Sequence, residues 1–201
     1  MNQRVKSHFQ KADPILFGVL QKIEKKDELV PRKSDDYFSD ICQAIINQQL
    51  SDKAGATIFK RFVHLFPHGK VTPQSLMRLS DTQIRAVGPS GSKVQFLKSL
   101  ARSVIAKEIV FTALETLSDE DVRKELVKLK GIGPWTAEMF LMFSLGREDV
   151  FSYGDLGLRR AIQKLYNFKK EPTKRQMEKV TNRWMPYRTY ACRILWRSLE
   201  I

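Results

Sequence analysis

The sequence predicts an all-α chain of about ten short helices. Apolar residues recur at spacings of three and four along most of its length, the period of an amphipathic helix. Serine, threonine and aspartate stand ahead of several of these runs, where helix N-caps belong. No stretch of six or more residues alternates as a strand would; Glu108 to Leu114 has the weakest pattern.

Taken in order, Ser39 to Phe66 carries Ile41, Ala44, Ile45 and Leu50, then Ile58, Phe59, Phe62 and Val63, spaced for amphipathic helices. Thr72 to Ser75 opens a helix that turns Leu76 and Leu79 inward. Ser80, Asp81 and Gln83 cap a short helix to Val87. Gly88 to Ser92 reads as a tight loop, and Lys93 to Ala106 as a helix with Phe96, Leu97, Leu100, Ala101 and Val104 on one face. Ser118 and Asp121 fit a capping box ahead of Val122, Leu126 and Leu129. Gly131, Ile132 and Gly133 break that helix. Pro134 suits the first position of the next, which is apolar on most faces and ends at Gly146. Further helices are expected at Asp155 to Tyr166, at Lys174 to Trp184 behind a Thr173 and Gln176 cap, and from Pro186 to about Leu199. The reading has one unit over 1–201, with lobes of 40–145 and of 1–39 plus 146–201.

Thirty-five lysines and arginines face 22 acidic residues, a net charge of +13. A balance so positive favours a polyanionic partner, most commonly nucleic acid. No apolar run approaches the ~18 residues that span a bilayer, and the N-terminus shows no signal-peptide pattern. An intracellular protein without membrane contact is expected. Cys42 and Cys192 sit among apolar neighbours and read as free buried thiols. Two cysteines cannot supply an iron–sulfur cluster, and the three scattered histidines give no metal-ligand spacing.

The chemistry concentrates between Leu129 and Ala161, in LKGIGPWTAEMFLMFSLGREDVFSYGDLGLRRA. At its front, a helix stops at Gly-Ile-Gly and another starts at Pro134. Glycines let the backbone approach a ligand with no Cβ in the way. The amides of the turn and of the second helix's first residues lack intrahelical partners, point outward and favour an anion such as a DNA phosphate. A plain αα-hairpin turn has the same sequence. At its rear stands Asp155, an acceptable helix N-cap in any protein.

Together the two halves resemble the helix-hairpin-helix motif and trailing aspartate of the base-excision DNA glycosylase superfamily. The phrases GIGPWTA, DLGLRRA, INQQLS and WMPYRTYACRILW are similar to the 3-methyladenine DNA glycosylase II (AlkA-like) branch, over roughly residues 12 to 200. The resemblance implies two helical lobes around a DNA-binding cleft. It implies that Asp155 is the catalytic carboxylate and that Gly131, Ile132 and Gly133 form the phosphate-binding hairpin. Trp135 and Trp196 would be aromatic walls of the base pocket, and Gln49 with Leu50 would fill the gap left by a flipped base. The loop carrying Ser90, Ser92 and Lys93 would lie against the DNA backbone. Arg188 would sit near Asp155 or the backbone. No cofactor is implied beyond a monovalent or divalent cation at the hairpin carbonyls. Two departures stand out. Phe151-Ser152 replaces the frequent Phe-Pro, which loosens the loop. Met139 stands where some relatives carry an aromatic, which implies a roomier pocket.

The expected reaction is hydrolysis of the N-glycosidic bond of alkylated purines, of the 3-methyladenine and 7-methylguanine type, in double-stranded DNA. Base flipping exposes the bond, and a fixed carboxylate stabilises the cationic sugar of the transition state. A base that already carries positive charge leaves without a second acid, unlike the sugars cut by two-carboxylate glycosidases. Bifunctional relatives carry a lysine where Trp135 stands, so no strand-nicking lyase is expected, and a monomer is the default. A non-catalytic helix-hairpin-helix DNA binder, and a glycosylase for deaminated or oxidised bases, remain the alternatives.

Overall fold

The computed structural model describes residues 1–24 and 26–201, with Asp52 described by its backbone alone. Among the described residues there are twelve α-helices and no strand. They fall into two compact units. One is the continuous segment Ser34–Leu145, and the other joins Met1–Lys33 to Gly146–Ile201. Asp36 caps the helix that opens the continuous unit by accepting Ser39 N.

Residues ahead of Ser39, where the pattern singles out no helix, form two. α1 (Gln3–Ala12) is capped by Asn2, and α2 (Pro14–Lys22) by Asp13 with proline at its first position. The unit is completed by α10 (Leu156–Leu165), α11 (Lys174–Thr181) and α12 (Arg188–Arg197). Asp13 is fully buried and ties these elements together. Its Oδ1 accepts Leu16 N at 3.1 Å. Its Oδ2 accepts Tyr166 OH at 2.7 Å and Trp184 Nε1 at 2.8 Å, with Arg183 Nη2 at 3.4 Å. A buried carboxylate needs such a complete set of donors. Burial, and then the bond to the Asp13 carboxylate, push the Tyr166 phenol well above its usual range.

The continuous unit holds α3 (Tyr37–Asn47), α4 (Asp52–Val63), α5 (Pro73–Arg78), α6 (Asp81–Ala86), α7 (Gly91–Ile105), α8 (Asp119–Val127) and α9 (Pro134–Met139). Reciprocal capping boxes start α5 at Thr72 and α6 at Ser80, as Thr173 starts α11. α7 begins at Gly91, two residues earlier than expected, because Ser90 is its N-cap. Phe38, Ile41, Ile45, Phe62, Leu97, Leu126 and Leu141 lie in the core.

Two helix expectations are corrected, and one stretch left unassigned takes a form. The apolar run after Pro134 is not one α-helix to Leu145. It leaves the α form after Met139 and continues as a π-helical turn, Phe140–Ser144, closed by Leu145 N on Phe140 O at 2.9 Å. That wide turn buries Phe140, Leu141, Met142 and Ser144, while Phe143 stays 43% exposed. The weak stretch near Glu108 ends in 3₁₀ turns at Phe111–Thr116. The last helix starts at Arg188, with Tyr187 at its N-cap position, so Pro186 lies outside it.

Both edges of the inserted segment are closed. Ser34 N donates to Ser144 O at 2.8 Å within the continuous unit. In the other unit Gly146, at φ 65°, lies where a Cβ would be 2.9 Å from the Arg32 carbonyl carbon and Lys33 N. Only glycine fits so close a backbone crossing at positive φ.

Candidate functional site

Asp155 is the N-cap of α10 and is 9% exposed. Its Oδ1 accepts Leu158 N at 2.8 Å and Trp196 Nε1 at 3.0 Å. The local sequence dictates the first contact, since a capping carboxylate takes an amide three residues on. The second comes from α12, 41 residues away. Trp196 is therefore not only an aromatic surface: its indole N–H fixes the carboxylate. Gly157 makes the approach possible, because a Cβ there would lie 3.1 Å from Trp196 Cδ1 and 3.2 Å from Asp155 Oδ1. The arrangement presents a positioned, mostly desolvated carboxylate at a helix N-terminus, where negative charge is favoured.

Arg188 pairs with Asp149. Its Nε and Nη2 bond Asp149 Oδ1 and Oδ2 at 2.7 and 2.9 Å, and Nη2 also bonds the Asp149 carbonyl at 3.0 Å. A bidentate pair of this geometry satisfies the guanidinium; the pairing holds its pKa above the usual value despite burial, which pulls the other way.

On the continuous unit, the turn between α8 and α9 has Gly131 at φ 85°, where a Cβ would meet the Phe96 ring at 2.2 Å. Gly133 is different: nothing lies within 4 Å of its Cβ direction. Packing thus demands the first glycine but not the second. Ile132 is buried and its amide donates to Leu129 O at 3.1 Å, so that amide is not offered to a ligand as the sequence reading supposed. Trp135 is half-buried in the first turn of α9.

Gln49 and Leu50 occupy the turn after α3. Both are exposed, Leu50 at 38%, and Gln49 holds a left-handed φ of 58°. Their neighbour Gln48, which sequence reasoning passed over, anchors that turn. Its Nε2 donates to Gly131 O at 2.9 Å and to Thr136 Oγ1 at 3.1 Å. Lys93 is the other anchor: Nζ donates to Ile46 O and Gln48 O, both at 2.8 Å, completing the carbonyl end of α3. Its ammonium is turned into the protein, and burial lowers its pKa. Ser90 and Ser92 remain exposed, with hydroxyls 3.0 Å apart.

Residues 42–187, holding both the hairpin and Asp155, match the family model of the HhH-GPD superfamily base excision DNA repair proteins. The chain belongs to this superfamily. A DNA-3-methyladenine glycosylase 1 of Schizosaccharomyces pombe is 36% identical over 82% of this chain and 73% of its own length. A Bacillus subtilis relative is 33% identical over 81% of this chain, which spans only 59% of that protein. Among solved structures, the Schizosaccharomyces pombe 3-methyladenine DNA glycosylase in complex with abasic DNA superposes with a TM-score of 0.90 at 31% identity, covering 99% of this chain and 98% of that one. No helix among the described residues of this superfamily member is long and apolar enough to cross a membrane. Cys42 and Cys192 are buried thiols outside any disulfide, and Cys192 Sγ donates to Val150 O at 3.7 Å.

Proposed function

We propose that this protein is a monofunctional DNA glycosylase that releases alkylated purines, of the 3-methyladenine and 7-methylguanine type, from double-stranded DNA inside the cell, acting as a monomer. The observation that carries the reading is Asp155, held by Leu158 N and Trp196 Nε1 within a family of base excision proteins.

The damaged base is turned out of the helix, and the Gln49–Leu50 turn fills the space it leaves. Trp135 and Trp196 offer aromatic faces to a cationic purine. The bond from C1′ to the base nitrogen breaks, and its electron pair leaves with the base, cancelling that base's positive charge. Positive charge grows on the sugar, and the Asp155 carboxylate opposes it. A water oxygen then bonds to C1′ and its proton passes to the carboxylate. The leaving group needs no acid, so one carboxylate suffices. Trp135 stands at the place of the lysine that would form a Schiff base in a lyase. A cation at the hairpin carbonyls, Gly131 among them, is compatible with the packing: a carbonyl that accepts one bond from Gln48 keeps a second lone pair. Bound there, it would supply positive charge facing a phosphate.

Base release from methylated duplex DNA tests the reading, with strand nicking followed without alkali. Wild type is expected to release 3-methyladenine without nicking. Asp155→Asn is expected to lower the single-turnover rate by ~10²-fold or more. Duplex binding without any base release, or an Asp155→Asn enzyme of normal rate, would make it a DNA binder or a glycosylase of other lesions.

A further inference from the structure

The positive charge is not spread evenly. Between Leu156 and Arg175 stand Arg159, Arg160, Lys164, Lys169, Lys170, Lys174 and Arg175 against Glu171 alone, a net +6 of the chain's +13 in a tenth of its length. Glu171 is paired with Arg159, and Lys174 with Glu178 at 3.8 Å. Arg160, Lys164, Lys169, Lys170 and Arg175 are exposed and, among the described residues, make no ion pair.

The cluster has a shape. α10 buries Leu158, Ala161 and Ile162 and turns Arg160 and Lys164 outward. The chain then doubles back: Asn167 takes a left-handed φ of 55°, and Phe168 N donates to Gln163 O at 3.0 Å. Arg160, Gln163, Lys164, Asn167 and Phe168 thereby line an open surface pocket of about 450 Å³. At 1.5 Å rise per residue, Arg160 and Lys164 lie ~7.5 and ~13.5 Å along the helix from Asp155, so the pocket extends away from the carboxylate toward the end of α10.

We propose that this pocket, with the lysines that follow it, is a second DNA contact: it grips the phosphate backbone of duplex DNA independently of any lesion. Guanidinium and ammonium groups neutralise phosphates, and the Gln163 and Asn167 amides bond their oxygens. The cations continue past the pocket through Lys169, Lys170 and Arg175, more than one small anion requires and suited to a polymer. Such a grip retains the enzyme on undamaged DNA, where lesion-specific contacts give nothing. The inference rests on the glycosylase reading above.

Affinity for an undamaged duplex is measured against salt concentration for wild type, Arg160→Gln/Lys164→Gln, and a control pair elsewhere, Lys22→Gln/Lys70→Gln. Each phosphate contact adds ~0.9 to the slope of log affinity on log salt. The pocket pair is expected to lower the slope by about 1.8 and affinity near 0.1 M salt by on the order of 10-fold or more. Its single-turnover excision rate at saturating enzyme should equal wild type, and the control should keep the wild-type slope. An unchanged slope in the pocket pair, or an equal fall in the control, overturns the second contact while leaving the glycosylase reading intact. A wild type that neither binds duplex nor excises bases overturns both.

Discussion

At the scale of single residues, the carboxylate is governed by what stands two positions beyond it. Gly157 lies inside α10, where alanine would ordinarily stabilise the helix by up to ~1 kcal/mol. A Cβ there would press on Trp196 Nε1 and Cδ1 and Asp155 Oδ1, all at 3.1–3.2 Å. The two effects oppose each other in stability but not in chemistry. Gly157→Ala is expected to keep its Tm within a few degrees while losing ~10-fold or more in single-turnover excision, since small displacements of a catalytic group are costly. A variant with wild-type rate would show that the Trp196–Asp155 bond does not set the carboxylate. Which residues were legible follows from range. The cap at Asp155 can be read from sequence because its contact is three residues away, whereas its catalytic role comes from the resemblance alone. Arg188 cannot, because Asp149 is 39 residues off and nothing local marks the pair. Trp196 reads as an aromatic wall, and only the fold reveals its N–H as a donor to the carboxylate.

At the scale of elements, the helix starts were legible at Thr72, Ser80, Ser118 and Thr173, where a capping side chain precedes an apolar run, but the caps at Asp13 and Ser90 were passed over. The π turn at Phe140–Ser144 was not, because an apolar run has the same pattern in α and π windings. Nor was the joint between the α3 turn and the hairpin. Gln48 makes that joint through Gly131 O and Thr136 Oγ1. Gln48→Ala leaves a half-buried carbonyl without its donor, at a cost of ~1–3 kcal/mol. It also frees the Gln49 turn from the hairpin. The expected outcome is a lower Tm and weaker base flipping, seen as reduced fluorescence from 2-aminopurine placed beside the lesion. Gln48→Glu should be no better, because a carboxylate donates nothing to the Gly131 carbonyl. Recovery by glutamate would mean that the side chain acts by bulk alone.

At the scale of the whole molecule, the two units differ in how they are wired. Ser34–Leu145 is one continuous segment, whereas the other unit must bring Met1–Lys33 and Gly146–Ile201 together. The fold places Gly146 against Arg32 and Lys33 at that junction. While the continuous segment is folded, its ends are already paired through Ser34 and Ser144. If it unfolds, the discontinuous unit must close a loop of about 100 residues, an entropic cost of roughly 4 kcal/mol. The reverse dependence does not exist, since the continuous unit contains all of its own helices. Each unit holds one buried thiol: Cys42 in the continuous unit, Cys192 in the other. Burial also holds the Cys42 thiol well above its usual pKa, so neither reacts until its unit opens. Thiol labelling across a urea series, resolved by peptide mass spectrometry, should find Cys192 labelled together with Cys42 or at lower urea. A population with Cys42 labelled and Cys192 protected would mean that the discontinuous unit holds its two segments together without help from the insert, and the wiring argument would fail.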